Sequence, residues 1–84
     1  MSNLDNVLED VAKERERQEA KWGDQSSNSD LVWSAVLGEE YGESAQAVLH
    51  DTFGGKAAGT LREELIQVAA VAVAWIEALD ARAG

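Results

Sequence analysis

Apolar residues recur along this chain in three helical blocks separated by two polar, glycine-bearing stretches. In the first block Leu4, Val7, Leu8 and Val11 fall at i, i+3, i+4 and i+7, which puts them on one stripe of an amphipathic helix. Ser2 or Asn3 is placed to cap it. The same stripe continues as Arg15, Gln18 and Trp22, so the face is kept while its chemistry turns polar. Two readings fit that change: a solvated helix end, or the wall of a cleft.

The stretch Gly23–Ser29 has the composition of a loop. A second helix is predicted from near Asp30, capped by Asn28 or Ser29, to about His50. The next connection, Asp51–Gly59, contains Gly54-Gly55. No strand pattern precedes that pair and no Gly-Lys-Ser/Thr follows it, so it is neither a dinucleotide fingerprint nor a P-loop. Thr60-Leu61-Arg62-Glu63 has the T-x-x-E form of a capping box. It predicts the start of a third helix, with Glu63 bonded back to the Thr60 N–H and Glu64 left as the freer carboxylate.

From Leu65 to Leu79 thirteen of fifteen residues are apolar. The run is shorter than the roughly 20 residues a membrane span needs, and Gln67 interrupts it, so it predicts a buried helix. Apolar on nearly every side, that helix needs more cover than two short helices can give. The expected architecture is therefore all-α, a single domain over residues 1–84, with three-helix protomers assembling into an oligomeric bundle, a homodimer or homotetramer.

Composition narrows the function classes. The chain has 84 residues, no proline and no cysteine. A domain of this size buries only about 60–65% of the surface that its unfolded chain exposes, and no disulfide or thiolate metal site supplements it. One histidine, His50, rules out a histidine-rich metal site and is placed as a donor near a helix C-terminus. Sixteen acidic residues against seven basic ones give a net charge of −9, which argues against a nucleic-acid polymer or an anionic membrane as partner. The first residues carry neither a basic region nor an apolar run, so no signal peptide is read and a cytoplasmic location is expected.

Part of the acidity is concentrated. On the second helix Glu40 and Glu43 are i, i+3 and Glu39 and Glu43 are i, i+4, roughly 5–6 Å apart. Glu64 and Gln67 repeat the i, i+3 spacing at the start of the apolar run. An acidic face of this kind is often just solvated. If the two helices pack antiparallel, however, the two groups face each other, and clustered oxygen ligands on facing helices suit Mg²⁺ or Mn²⁺. A di-iron carboxylate site would need Glu-x-x-His pairs, and neither Glu43 nor Glu64 is followed by histidine at i+3.

Glu39-Glu40-Tyr41-Gly42-Glu43, followed by Glu64-Leu65-Ile66-Gln67, resembles the E-E-x-x-E…E-x-x-D motif of the MazG-like all-α nucleoside triphosphate pyrophosphohydrolases. The upstream Glu14–Gln18 and Lys21–Gln25 segments and Val68–Ala72 are similar to those of the short phage and bacterial type. The resemblance spans about Glu14 to Asp80. It implies Mg²⁺-dependent hydrolysis of a (d)NTP to (d)NMP and pyrophosphate, in nucleotide-pool house-cleaning.

Carried over residue by residue, the resemblance makes Glu40, Glu43 and Glu64 metal ligands and Glu39 the group that orients or deprotonates the attacking water. Gln67 stands where the motif has aspartate, offering an amide oxygen in place of a charge. Trp22 is the candidate for stacking on a base, its alternative being to plug the loop against the core. Arg15, Gln18, Lys21 and Lys56 are candidate substrate contacts, with surface solvation as the alternative for the cations. Arg62 is weighed in the same way. Trp33 and Trp75 are assigned to core or interface. Two further hypotheses compete with the hydrolase: a non-catalytic helical module that senses a nucleotide or binds a protein through a degenerate metal site, and an acidic mimic of nucleic acid.

Overall fold

Ordinary helix chemistry accounts for every boundary in the computed structural model, which describes residues 2–55 and 59–84. The three helices are α1 (Asn3–Trp22), α2 (Asp30–Phe53) and α3 (Leu61–Ala83). There is no strand among the described residues, so the all-α expectation holds at that level. At the start of α1, Ser2 Oγ accepts from the Asp5 N–H at 3.1 Å and Asp5 accepts in return from the Ser2 N–H at 3.4 Å. Of the two candidate caps for α2, Ser29 is the one used, accepting from the Val32 N–H. Gly23 and Gly54, at φ +75° and +79°, close α1 and α2 in the left-handed region that disfavours a side chain. The second helix thus runs three residues beyond the expected end at His50, whose Nδ1–H donates to Gly55 O at 2.9 Å.

The start of α3 differs from the expected capping box. Thr60 Oγ1 accepts from the Glu63 N–H at 3.1 Å, but it is Glu64 that reaches back, its Oε1 accepting from the Gly59 N–H at 3.0 Å. Glu64 is therefore the anchored carboxylate and Glu63 the exposed one. The carboxylate that lies on the inner face of α3, itself buried, is the one that reaches the Gly59 N–H.

Helix α3 is the centre of the protomer. Both α1 and α2 pack on it, and they do not pack on each other. Helix α2 runs antiparallel to α3: Asp30 at its start accepts from Trp75 Nε1 at 3.0 Å and from Arg82 at 2.6 Å, near the end of α3. Helix α1 is tied to α3 by Arg62–Asp10 at 2.7 Å and Arg15–Glu77 at 2.9 Å. The core joins Trp33 to Val71, Ala74 and Ala78, with Val36, Leu37 and Trp75 packed against it. Alanines at 70, 74 and 78, all buried, keep this face of α3 low and let its neighbours approach closely. Two helices thus cover one face of α3, and Leu65, Ile76 and Leu79 on the other remain exposed. No helix among the described residues is long and apolar enough to cross a membrane.

Candidate functional site

Because α1 and α2 flank α3 without touching, a cleft opens between them with α3 as its floor. Its volume is about 650 Å³, within the range of small-molecule sites. Val71, Ala74 and Ala78 form an apolar floor, with Val36 beside them. Arg15, Gln18 and Trp22 line one wall and Glu39 and Glu40 the other. Of the two readings of the α1 stripe, the structure takes the cleft wall.

The carboxylates of Glu40, Glu43 and Glu64 converge at the edge of this cleft. Each offers an oxygen, and the three oxygens lie within 4.8 Å of one another. Only Glu40 belongs both to this cluster and to the cleft lining. Burial pushes the Glu40 carboxyl above its ordinary value of 4.5, and the charges of Glu43, Glu64, Glu39 and Glu14 push it the same way. Glu43 is raised chiefly by burial, then by a hydrogen bond with Glu64 and the charges of Glu64 and Glu39. Like charges at short range thus stress the cluster, and Glu40 and Glu43 hold their protons more tightly than free carboxylates do.

Gln67 meets the cluster as a donor. With its amide nitrogen turned inward, as the surrounding acceptors require, it donates to Glu40 Oε2 at 3.1 Å and to Glu64 Oε2 at 3.2 Å. Gln18 is buried with its amide engaged by Glu14 at 3.2 Å and Gln67 O at 3.5 Å. It therefore ties α1 to α3 more than it offers a free contact. The Arg15 guanidinium lines the cleft already paired, with Glu77 at 2.9 Å and Glu19 at 3.5 Å. Trp22 is half exposed at the cleft wall, and Lys21 lies over its ring with Nζ 4.8 Å from the centroid. Lys21 itself does not line the cleft. Arg62 does not line the cleft and is paired with Asp10. Lys56 lies outside the described residues.

Two contributors are absent from the sequence reading of the site. Glu14 is half-buried beside the cluster, held by Arg17 at 2.7 and 2.6 Å. The Arg17 hydrogen bond keeps the Glu14 carboxyl below the ordinary range despite its burial. Val11, Glu14 and Gln18 are spaced by three and four, and following that register rather than Arg15 would have found Glu14. Trp33, assigned to the core, is also a cleft residue, and its indole N–H is buried with no hydrogen-bond partner. Compared with protein-family models, curated proteins and solved structures, the chain finds no match.

Proposed function

We propose that this chain is a Mg²⁺- or Mn²⁺-dependent nucleoside triphosphate pyrophosphohydrolase of the MazG-like type, converting a (d)NTP to (d)NMP and pyrophosphate. The observation that carries the reading is the double membership of Glu40, which belongs to a three-carboxylate cluster and to the wall of a cleft large enough for a nucleotide. A protein of charge −9 repels a triphosphate, so binding one depends on a cation between them. Three hard oxygen donors within 4.8 Å fit that requirement. Glu40, Glu43 and Glu64 would hold the ion, and Gln67 would join them by turning its amide oxygen inward. Bound there, a divalent cation polarises the phosphoryl oxygens and makes its water more acidic.

The remaining steps belong to the chain itself. Glu39, exposed on the cleft wall next to Glu40, orients the attacking water and takes its proton as the α–β phosphate bond opens. Trp22 presents a ring face to the base, and Arg15, steadied by Glu77, faces the phosphates. The apolar floor of Val71, Ala74 and Ala78 excludes water beneath the ligand. In this reading the working unit is a homodimer or homotetramer in the cytoplasm, with neither nucleic-acid polymer nor membrane as partner.

A second reading, a nucleotide-sensing or protein-binding module without turnover, draws on the Gln67 amide. Its two donated hydrogen bonds relieve the cluster without any ion. Assaying common and modified nucleotides for pyrophosphate release, with and without Mg²⁺, separates the two. At least one substrate is expected to turn over, with Glu43→Gln about 100-fold slower or worse, as loss of a metal-site group implies. A folded protein that releases no pyrophosphate from any nucleotide overturns the hydrolase reading. Calorimetric binding without hydrolysis then establishes the sensor.

A further inference from the structure

Trp33 lies on the α2 wall of the cleft and is 5% exposed. Its ring packs on Val71, Ala74 and Ala78, hydrocarbon that offers the Nε1–H no acceptor. That N–H is buried and has no hydrogen-bond partner among the described residues, an expensive condition for a donor. Trp75 shows the ordinary solution: its indole N–H donates to Asp30 at 3.0 Å. Polar side chains around the cleft give Trp33 no relief, because the amides of Gln18, Gln25 and Asn28 donate to Glu14, Trp22 O and Gln25. The approach left to an acceptor is from the cleft itself.

The place of Trp33 along α2 indicates what would approach. It precedes Glu40 by seven residues, two turns and about 10 Å along the helix axis. Seven residues bring a helix back to nearly the same face, within about 20°, and both side chains line the cleft. The cleft continues past Trp33 to Glu77 and Ala81. A nucleotide whose phosphates meet a cation at Glu40 therefore lays its base toward Trp33. Stacking on Trp22 accepts any base, since every base has a ring face. A donor at the base edge is selective. Because the Trp33 N–H is buried, the acceptor that meets it has to project from the ring, as an exocyclic carbonyl oxygen does by about 1.2 Å. A ring nitrogen lies flush with the edge and stays farther off.

We propose that Trp33 is the specificity-determining residue of the cleft, its indole N–H donating to an exocyclic carbonyl oxygen of the nucleobase. The cleft then takes nucleotides of uracil, thymine, cytosine or guanine and discriminates against adenine, which has no carbonyl. A base without that oxygen leaves the buried donor unpaired, which is how polar sites reject ligands that lack the matching group. The inference rests on the nucleotide reading of the cleft and deepens it. Trp33 stands two turns from the carboxylate cluster, so it acts on which base is bound and not on the bonds that change.

Calorimetric titration with the non-hydrolysable α,β-imido analogues of dUTP, dCTP, dGTP and dATP, each with Mg²⁺, tests it. At least one carbonyl-bearing analogue is expected to bind about 10-fold or more tightly than the adenine one. Trp33→Phe keeps a ring in the core and removes the N–H. It should weaken the preferred analogue about 10-fold and leave the adenine analogue within about 2-fold, closing the gap. A second measurement uses the native chain and does not depend on that variant folding. The Trp33 indole N–H resonance, assigned by elimination from Trp22→Phe and Trp75→Phe chains, should move downfield when the preferred analogue binds. Equal binding of all four analogues, equal weakening of all four by Trp33→Phe, or an unmoved Trp33 resonance at saturation overturns this proposal alone. Failure of the native chain to bind any of the four overturns the nucleotide reading, and this proposal with it.

Discussion

The two faces of α3 are built on opposite principles. Toward the cleft, polar groups are drawn into partly buried positions and find partners: Glu64 with Gly59, Gln67 with two carboxylates, Arg15 with Glu77. Away from it, the large apolar side chains of Leu65, Ile76 and Leu79 stand about half exposed to water. Charge sits where solvation is poorer and hydrocarbon where it is richest, the reverse of what a self-sufficient domain does. The inner face gains by taking up positive charge, and the outer face gains by being covered. One helix thus bears clustered charge on one side and half-exposed hydrocarbon on the other.

The strongest way to probe that contrast is to satisfy the inner face alone. Mg²⁺ at about one hundred times its dissociation constant should stabilise the fold by about 2.7 kcal/mol, read as a rise in melting temperature at fixed protein concentration. Glu43→Gln should melt higher than the native chain without Mg²⁺, since it removes like-charge repulsion, and should lose the Mg²⁺-induced rise. Gln67→Asp should do the reverse, lowering the melting temperature without Mg²⁺ and enlarging the rise. An equal response from all three chains would detach the cluster from cation binding.

A second contrast compares truncations on the two faces under dilute, monomeric conditions. Val71→Ala removes buried volume and should cost about 2 kcal/mol in urea denaturation. Ile76→Ala, at an exposed position, should change protomer stability by less than about 0.5 kcal/mol. Comparable costs would mean that the outer face is packed within the protomer after all.

The smallest effect is a pH dependence confined to the inner face. Glu40 and Glu43 titrate above their ordinary 4.5 in the folded chain. Their contribution to stability is complete below that value and is lost as pH rises through the elevated folded values. Glu14 is lowered, so its contribution is present above its ordinary value and falls away only at more acid pH, in a separate window. Without Mg²⁺, stability should therefore decline by a few tenths of a kcal/mol per like-charged pair as pH rises from 4.5 toward neutral. Glu43→Gln should flatten that slope, and an unchanged slope would assign it to other groups.

Much of this was legible in one dimension. Ser2 and Thr60 read as caps and act as caps, and Glu40, Glu43 and Glu64 share a locus that their helical spacing and an antiparallel pairing anticipate. Where the reading stopped short, the missing information was cross-helix. Nothing local says that Glu64 rather than Glu63 meets the Gly59 N–H, because that depends on which side of α3 is buried. The neutralisation of Arg15 by Glu77 joins residues 62 positions apart, and α2 outlasts His50 because its last turn is completed by Gly54.

The sequence by itself determined three capped helices, the concentration of acid on α2 and the start of α3, and the apolar run of α3. Each of these is a matter of residues within a turn or two of one another, which helical periodicity makes neighbours. Tertiary structure alone decided that α1 and α2 stand apart and leave a cleft, that Glu40 belongs to both cleft and cluster, and that Gln67 donates to carboxylates. These follow from how the low alanine face of α3 seats its two neighbours. Periodicity on one helix cannot specify where another helix is placed beside it.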